Sequence, residues 1–288
     1  SETNKLLSVT FQEEIKEYAW IDKINLQSDK NLAIICGSST LKYSLSCTKL
    51  NETSKKHFYV NTAQDAGDPI RTYFILNEIK NRPVKTIYMG LDPWIYTKYY
   101  YRHRNNIMYT DFSFKEALAF QRLNDKSTFL KRYKALLNYW LIPFKNFEIN
   151  TEIPDNLGSG YKDSKVTTVD NPCDWYKPEF LWSDLQFSYL EKIISLSNDN
   201  NWELVFVYPP KHPKHTRLMK ESCGEIYSEW YRRVDAITNT VQTVYLENSI
   251  KDSSMFVDGI HTHSLGRSQF SQIFEDLIYS NNGSGNFS

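Results

Sequence analysis

Leu32-Ala33-Ile34-Ile35-Cys36 passes straight into Gly37-Ser38-Ser39-Thr40, and that junction sets the fold class. Five consecutive apolar residues closed off by a turn read as a strand buried on both faces, the kind found in parallel sheets. Glycine permits the sharp turn, and hydroxyl residues after it suit the start of a helix. Similar apolar runs at His57 to Val60, Val84 to Met89, Trp202 to Tyr208 and Val241 to Leu246 predict four more strands. Helical periodicity at Leu41 to Leu50, Pro69 to Lys80, Phe180 to Leu196, Glu225 to Ile237 and Ser264 to Tyr279 falls between and after them. Strand alternating with helix predicts one α/β domain over residues 1–288, built on a five-stranded parallel sheet. Asp68-Pro69 supplies a cap and a first-turn proline, and Asn81-Arg82-Pro83 stops the same helix.

The alternation breaks after the third strand. Residues 93–176 intervene, with helical patterns at Ser113 to Asn124 and Ser127 to Trp140 and a polar, turn-rich stretch from Asn150 to Asp174. An insertion after a strand's carboxyl end overhangs the crevice where open α/β sheets bind ligands, so this segment is expected to shape a substrate site.

Composition narrows the class. The 288 residues carry 34 basic and 34 acidic side chains, a formal charge of zero, and 41% are hydrophobic. That excludes a disordered tail and a strongly basic nucleic-acid binder. No run of about 18 apolar residues occurs. The opening residues Ser1-Glu2-Thr3-Asn4-Lys5 show neither a basic nor an apolar targeting region. Four cysteines, Cys36, Cys47, Cys173 and Cys223, are too few for a disulfide scaffold and lack C-x-x-C zinc spacing, so disulfide status stays open. Twenty Tyr and seven Trp suit either an ordinary core or a cleft that stacks on sugar rings. Asn51-Glu52-Thr53 fits a glycosylation sequon.

Two segments carry candidate chemistry. In Gly37-Ser38-Ser39 a hydroxyl projects at the sheet's carboxyl edge, beside free N–H groups of a helix start that can hold an oxyanion. Ser39 is therefore a candidate nucleophile, the alternative being that Ser38 or Ser39 only caps the helix. In Asp258-Gly259-Ile260-His261, three-residue spacing lets a carboxylate accept the imidazole Nδ1 proton while Nε2 faces outward, as a general base requires. Both segments follow strands of one sheet, which brings distant side chains to one crevice. His263 is the alternative imidazole. A metal site built from Asp258, His261 and His263, joined by His212 or His215, and a glycan-binding module without catalysis are the competing readings. The cationic stretch Tyr208-Pro209-Pro210-Lys211-His212-Pro213-Lys214-His215 is a loop that could hold an anionic substrate, and Trp94 opens a mixed aromatic and basic stretch suited to a charged glycan.

These residues resemble the SGNH, or GDSL-like, hydrolase superfamily: Gly37-Ser38-Ser39 matches its first block and Asp258-Gly259-Ile260-His261 its last, in the D-x-x-H form. The resemblance implies a flavodoxin-like three-layer sandwich, a Ser39 nucleophile, a His261 general base, Asp258 orienting it, and no cofactor. It implies an oxyanion hole from the Ser39 N–H, from Gly67 as the second-block glycine, and from the third block, here Gly90-Leu91-Asp92-Pro93. There Asp92 replaces the family's Asn, and a carboxylate repels an oxyanion unless protonated. The Gly-Ser-Ser opening and Asp92 look most like the DltD-like and alginate- and peptidoglycan-O-acetylation-like cell-envelope branch. That branch implies an extracytoplasmic location, an acylated glycan or polyol polymer as substrate and a membrane-bound acyl-donor partner; the zero net charge and the lack of a recognition-module motif argue against nucleic acid.

Overall fold

The computed structural model describes residues 20–21, 23–24, 30–65, 67–97, 153–160, 169–175 and 182–281. Five parallel strands are present: β1 (Asn31–Cys36), β2 (His57–Asn61), β3 (Val84–Gly90), β4 (Glu203–Tyr208) and β5 (Gln242–Tyr245). Their spatial order is β2-β1-β3-β4-β5. Six α-helices lie among the described residues: α1 (Ser39–Ser44), α2 (Cys47–Thr53), α3 (Pro69–Glu78), α4 (Asp184–Asp199), α5 (Pro213–Thr238) and α6 (Ser264–Asn281).

Side-chain alternation along each strand divides the core in two. Leu32, Ile34 and Cys36 of β1 and Leu204, Phe206 and Tyr208 of β4 pack with Leu76 of α3, Leu190 of α4 and Trp230 of α5. Ala33 and Ile35, with Val205 and Val207, face the opposite way onto Leu41 of α1, Leu50 of α2 and Phe270 and Phe274 of α6. A sheet covered on both faces needs strands apolar at every position, which is why β1 reads as an unbroken run. The result is the three-layer α/β sandwich expected from the sequence.

Several boundaries differ from the sequence reading, each with a local cause. The helix expected over 41–50 is two helices, because Ser46 takes the Lys49 N–H at 3.4 Å and starts α2 afresh. Ser183 accepts from Gln186 and starts α4 later than Phe180. The expected loop after β4 ends sooner than its last residues: Pro213 occupies the first turn of α5 and His212 caps it, its Nδ1 accepting from Lys214 N–H. α5 kinks at Cys223, where φ is −142° and ψ is 34°. Cys223 there forms a disulfide with Cys173, which lies in a short 3₁₀ turn, Pro172–Trp175. Cys36 and Cys47 are free and buried.

The helices expected at 113–124 and 127–140 lie outside the described residues. The chain departs at Thr97 and returns at Trp182, which form an antiparallel bridge, and Ser183 N–H donates to Tyr96 O at 2.8 Å. At the β2 edge the Asn51 side chain stands in for a neighbouring strand: its amide donates to Tyr59 O at 3.0 Å and accepts from Tyr59 N–H at 2.6 Å. Asn61 N–H of the same strand donates to Leu157 O. Among the described residues β5 pairs only with β4, and its Tyr245 is exposed.

Candidate active site

The strand order reverses direction between β1 and β3, so the carboxyl ends of those two strands open a crevice at the switch point. Gly37 turns the chain there with φ +119°, and a Cβ on it would stand 3.0 Å from both N and O of Gly90. Only glycine accepts that backbone in that space. Ser38 then caps α1, accepting from Thr40 N–H at 3.2 Å, and Ser39 occupies the first helical position with its side chain half-buried at the crevice.

The second half of the site comes from the loop between β5 and α6. Asp258 Oδ1 accepts from the N–H groups of Ile260 (2.8 Å) and His261 (2.9 Å), which closes a tight turn. Its other oxygen, Oδ2, lies 2.7 Å from His261 Nδ1. The far nitrogen of that ring, Nε2, lies 2.8 Å from Ser39 Oγ. Burial alone would raise the Asp258 carboxyl, but the His261 imidazole and the two N–H donors outweigh it and hold the group at about 2. The loop is fastened to α1 by Thr262 Oγ1 donating to Tyr43 O at 3.0 Å, and the Tyr43 ring meets His261 edge-on at 5.4 Å. A serine hydroxyl, an imidazole and a carboxylate in hydrogen-bonded sequence form an arrangement that can remove the hydroxyl proton as oxygen attacks a carbonyl.

The remaining sequence candidates are placed differently. Gly67 sits against the nucleophile turn so closely that a Cβ would strike Gly37 O, but its N–H already donates to Gln64 O at 2.9 Å. Asp92 is fully buried. Its Oδ2 accepts from the hydroxyls of Ser38 and Thr40, so it lies beneath the turn instead of facing an oxyanion. Trp94 packs in the core. Lys211 is 1% exposed, its ammonium 2.7 Å from Glu247 Oε1 and 3.9 Å from Asp92 Oδ1, which removes it from contact with a substrate in solution. His212 is buried as the α5 cap, and its backbone N–H donates to Gly259 O at 3.0 Å. His263 donates through Nε2 to Ser254 O, in the short turn Ser253–Met255, and accepts through Nδ1 from Leu265 N–H at the start of α6, so both ring nitrogens are engaged. Among the described residues no group of three His, Cys, Asp or Glu side chains is gathered as a metal ion requires.

Sequence reasoning missed Thr40, Glu247, Tyr227 and Tyr231. Thr40 carried a signal, a hydroxyl two residues past the capping Ser38. Glu247 and the two tyrosines meet only in three dimensions: Tyr227 Oη lies 2.5 Å from Glu247 Oε1, and Tyr231 donates to Oε2.

No family model matches the chain, and no curated protein matches it. Among solved structures, the chain is similar to a GDSL-like lipase from Bacteroides thetaiotaomicron, with 8% identity and a TM-score of 0.46 over 94% of this chain and 98% of that one. It is similar to a member of the lipolytic G-D-S-L family from Veillonella parvula, with 8% identity and a TM-score of 0.42 over 86% and 97%. It is similar also to a carbohydrate acetylesterase family member from Sinorhizobium meliloti, with 9% identity and a TM-score of 0.40 over 88% and 99%.

Proposed function

We propose that this chain is a serine-type acyl enzyme of the SGNH kind, acting on esters through an acyl-Ser39 intermediate. The observation that carries the reading is the continuous hydrogen-bonded series Ser39 Oγ, His261 Nε2, His261 Nδ1, Asp258 Oδ2, with links of 2.8 and 2.7 Å. His261 takes the Ser39 proton, Oγ attacks the ester carbonyl, and the imidazolium then returns the proton to the leaving alcohol. Asp258 holds the ring in the tautomer with Nδ1–H and steadies the imidazolium. The N–H of Ser39, in the first turn of α1 where backbone donors have no partner inside the helix, is the proposed oxyanion donor.

Water as second acceptor makes the enzyme an esterase, and a sugar or polyol hydroxyl makes it an O-acyltransferase. Within this reading the substrate is an acylated glycan or polyol polymer outside the cytoplasmic membrane, with a membrane-bound donor if transfer predominates. The Gly-Ser-Ser opening and Asp92 support that branch, and the Cys173–Cys223 disulfide supports an oxidising compartment.

Intact-protein mass spectrometry after fluorophosphonate treatment, beside p-nitrophenyl acetate turnover with and without added glycerol, tests the proposal. One adduct on Ser39, with turnover abolished in Ser39→Ala and His261→Ala, is expected. Acetyl glycerol formed faster than acetate would select transfer. Unmodified Ser39 and undiminished variants would overturn the serine mechanism.

A further inference from the structure

Beneath the nucleophile turn lies a chain of buried ionisable groups that the acyl mechanism does not use. Asp92 is 0% exposed, Lys211 1% and Glu247 8%. Ser38 and Thr40, the residues on either side of Ser39, both direct their hydroxyls onto Asp92 Oδ2. Oδ1 of the same carboxylate has Lys211 Nζ at 3.9 Å, and that ammonium is anchored at 2.7 Å by Glu247, itself held by Tyr227 and Tyr231. Lys211 also begins the segment that braces the other half of the site. Its N–H donates to Glu247 O, and the next residue, His212, donates its N–H to Gly259 O in the Asp258–His261 turn.

Burying three ionisable groups is expensive, and an apolar trio of equal volume would fill the space at no electrostatic penalty. What apolar side chains cannot supply is an acceptor for two hydroxyls flanking Ser39 together with a counter-charge tied to the histidine turn. We propose that Asp92, Lys211 and Glu247 form an ionic joint that fixes Ser39 relative to His261, with Asp92 and Lys211 as positioning residues. The inference deepens the reading of Ser39 as nucleophile and rests on it for its functional meaning. The joint acts through the backbone on both sides: Asp92 restrains the turn after β1, and Lys211 restrains the approach to Gly259. Burial outweighs the opposing pull of Lys211 and the two hydroxyls, so the Asp92 carboxyl is held above its usual range. In Glu247 the opposing pull of Lys211 and the tyrosine hydroxyls prevails over burial, so that group is lowered.

The test reads the geometry without an ester. In a Ser39→Cys background the introduced thiol is alkylated by iodoacetamide at pH 7, while Cys36 and Cys47 are shielded by burial and Cys173 and Cys223 are paired. A free thiol is about 3% thiolate at that pH, and one beside a well-placed imidazole about half, so good placement is worth about tenfold in rate. His261→Ala in that background sets the floor. Asp92→Ala and Lys211→Met, each added separately, are expected to lower the alkylation rate about tenfold, toward that floor. Thr40→Val, which keeps the side-chain volume and loses one hydroxyl, is expected to lower it about threefold. Asp92→Asn added to Lys211→Met removes the stranded carboxylate and is expected to recover at least threefold. Equal alkylation rates in the folded variants, Thr40→Val included, would overturn the joint. In the Ser39 enzyme the same variants are expected to lower kcat with KM changed less than twofold; a rise in KM alone would also overturn it. If fluorophosphonate fails on the Ser39 protein while alkylation still responds to Asp92 and Lys211, the acyl reading falls and the joint stands.

Discussion

Replacing Asp258 by Asn separates the two tasks that one carboxylate performs. Oδ1 holds the turn through two backbone donors at 2.8 and 2.9 Å, and Oδ2 faces His261 Nδ1 at 2.7 Å. An Asn oxygen can keep both backbone bonds only if the amide nitrogen takes the Oδ2 position. The reversed amide forfeits two bonds of about 1 kcal/mol each, so the first orientation is preferred. An NH₂ group then meets Nδ1, which is satisfied only when Nδ1 carries the lone pair and the proton sits on Nε2. Nε2 can then no longer accept from Ser39. In the general serine-protease template this tautomer error lowers kcat about 10⁴-fold, equivalent to about 5 kcal/mol at 1.36 kcal/mol per decade. The Asp258 side chain is 38% exposed, so water softens the effect, and the expected loss is between about 10³- and 10⁴-fold. The assay is the second-order rate of fluorophosphonate labelling together with kcat/KM for p-nitrophenyl acetate at pH 8. Asp258→Asn should keep the wild-type circular dichroism and melt within a few degrees of it, because the turn survives. A loss below tenfold in folded protein would refute the assignment of Asp258 as the orienting group.

Acid stability should follow the buried imidazoles. Burial, and then the Lys211 charge, hold His215 down to about 3, and burial with Lys56 holds His57 to about 4. Both groups have folded values below the unfolded one of about 6.5, so the stability from keeping them neutral is complete above that value and is lost as pH falls. Each contributes a slope of about 1.4 kcal/mol per pH unit between its two values. Urea midpoints for wild type, His57→Gln and His215→Gln from pH 7 to 4.5 should give shallower slopes in both variants, and parallel slopes would contradict this. Asp258, depressed to about 2, contributes in a different window: its stability is present above about 4 and fades below that. The Cys173–Cys223 bond closes a separation of 50 residues, for which chain entropy predicts about 4 kcal/mol of stabilisation. Guanidinium unfolding with and without a reductant, or with Cys173→Ala, should show a loss of up to that size; no change would mean the loop is already restrained by its contacts.

What the sequence revealed depended on how local each signal was. The strand at 32–36 was legible because burial on both faces leaves no polar position, and the turn because Gly37 sits where φ is positive. Asp258 and His261 were legible as a pair because three residues are enough to form their turn. Lys211 reads from the sequence as a loop charge that could hold an anionic substrate, because its partners Asp92 and Glu247 lie at other strand ends and charge in sequence normally means surface. The start of α5 differs from the sequence reading although Pro213 is a first-turn signal, since the run of neighbouring positive charges reads as a loop. Asp92 was recognisable as unlike an oxyanion donor, but its actual role needed Ser38 and Thr40 in three dimensions. Pairing among four cysteines has no local determinant at all, so only the fold could choose Cys173 with Cys223.

The Asn51 side chain gives the sheet two unequal rims. On the β2 side, the N–H and C=O of Tyr59 that a foreign strand would need are already taken by an amide from within the chain, and Leu157 takes the N–H of Asn61. A glycan on the Asn51 nitrogen would have to displace that bond, so decoration and rim closure compete for one atom. On the β5 side no described segment does the same, and an exposed Tyr245 stands beside the open backbone. Growth of this sheet into a neighbouring molecule is therefore opposed from within at Tyr59 and Asn61 on the β2 side.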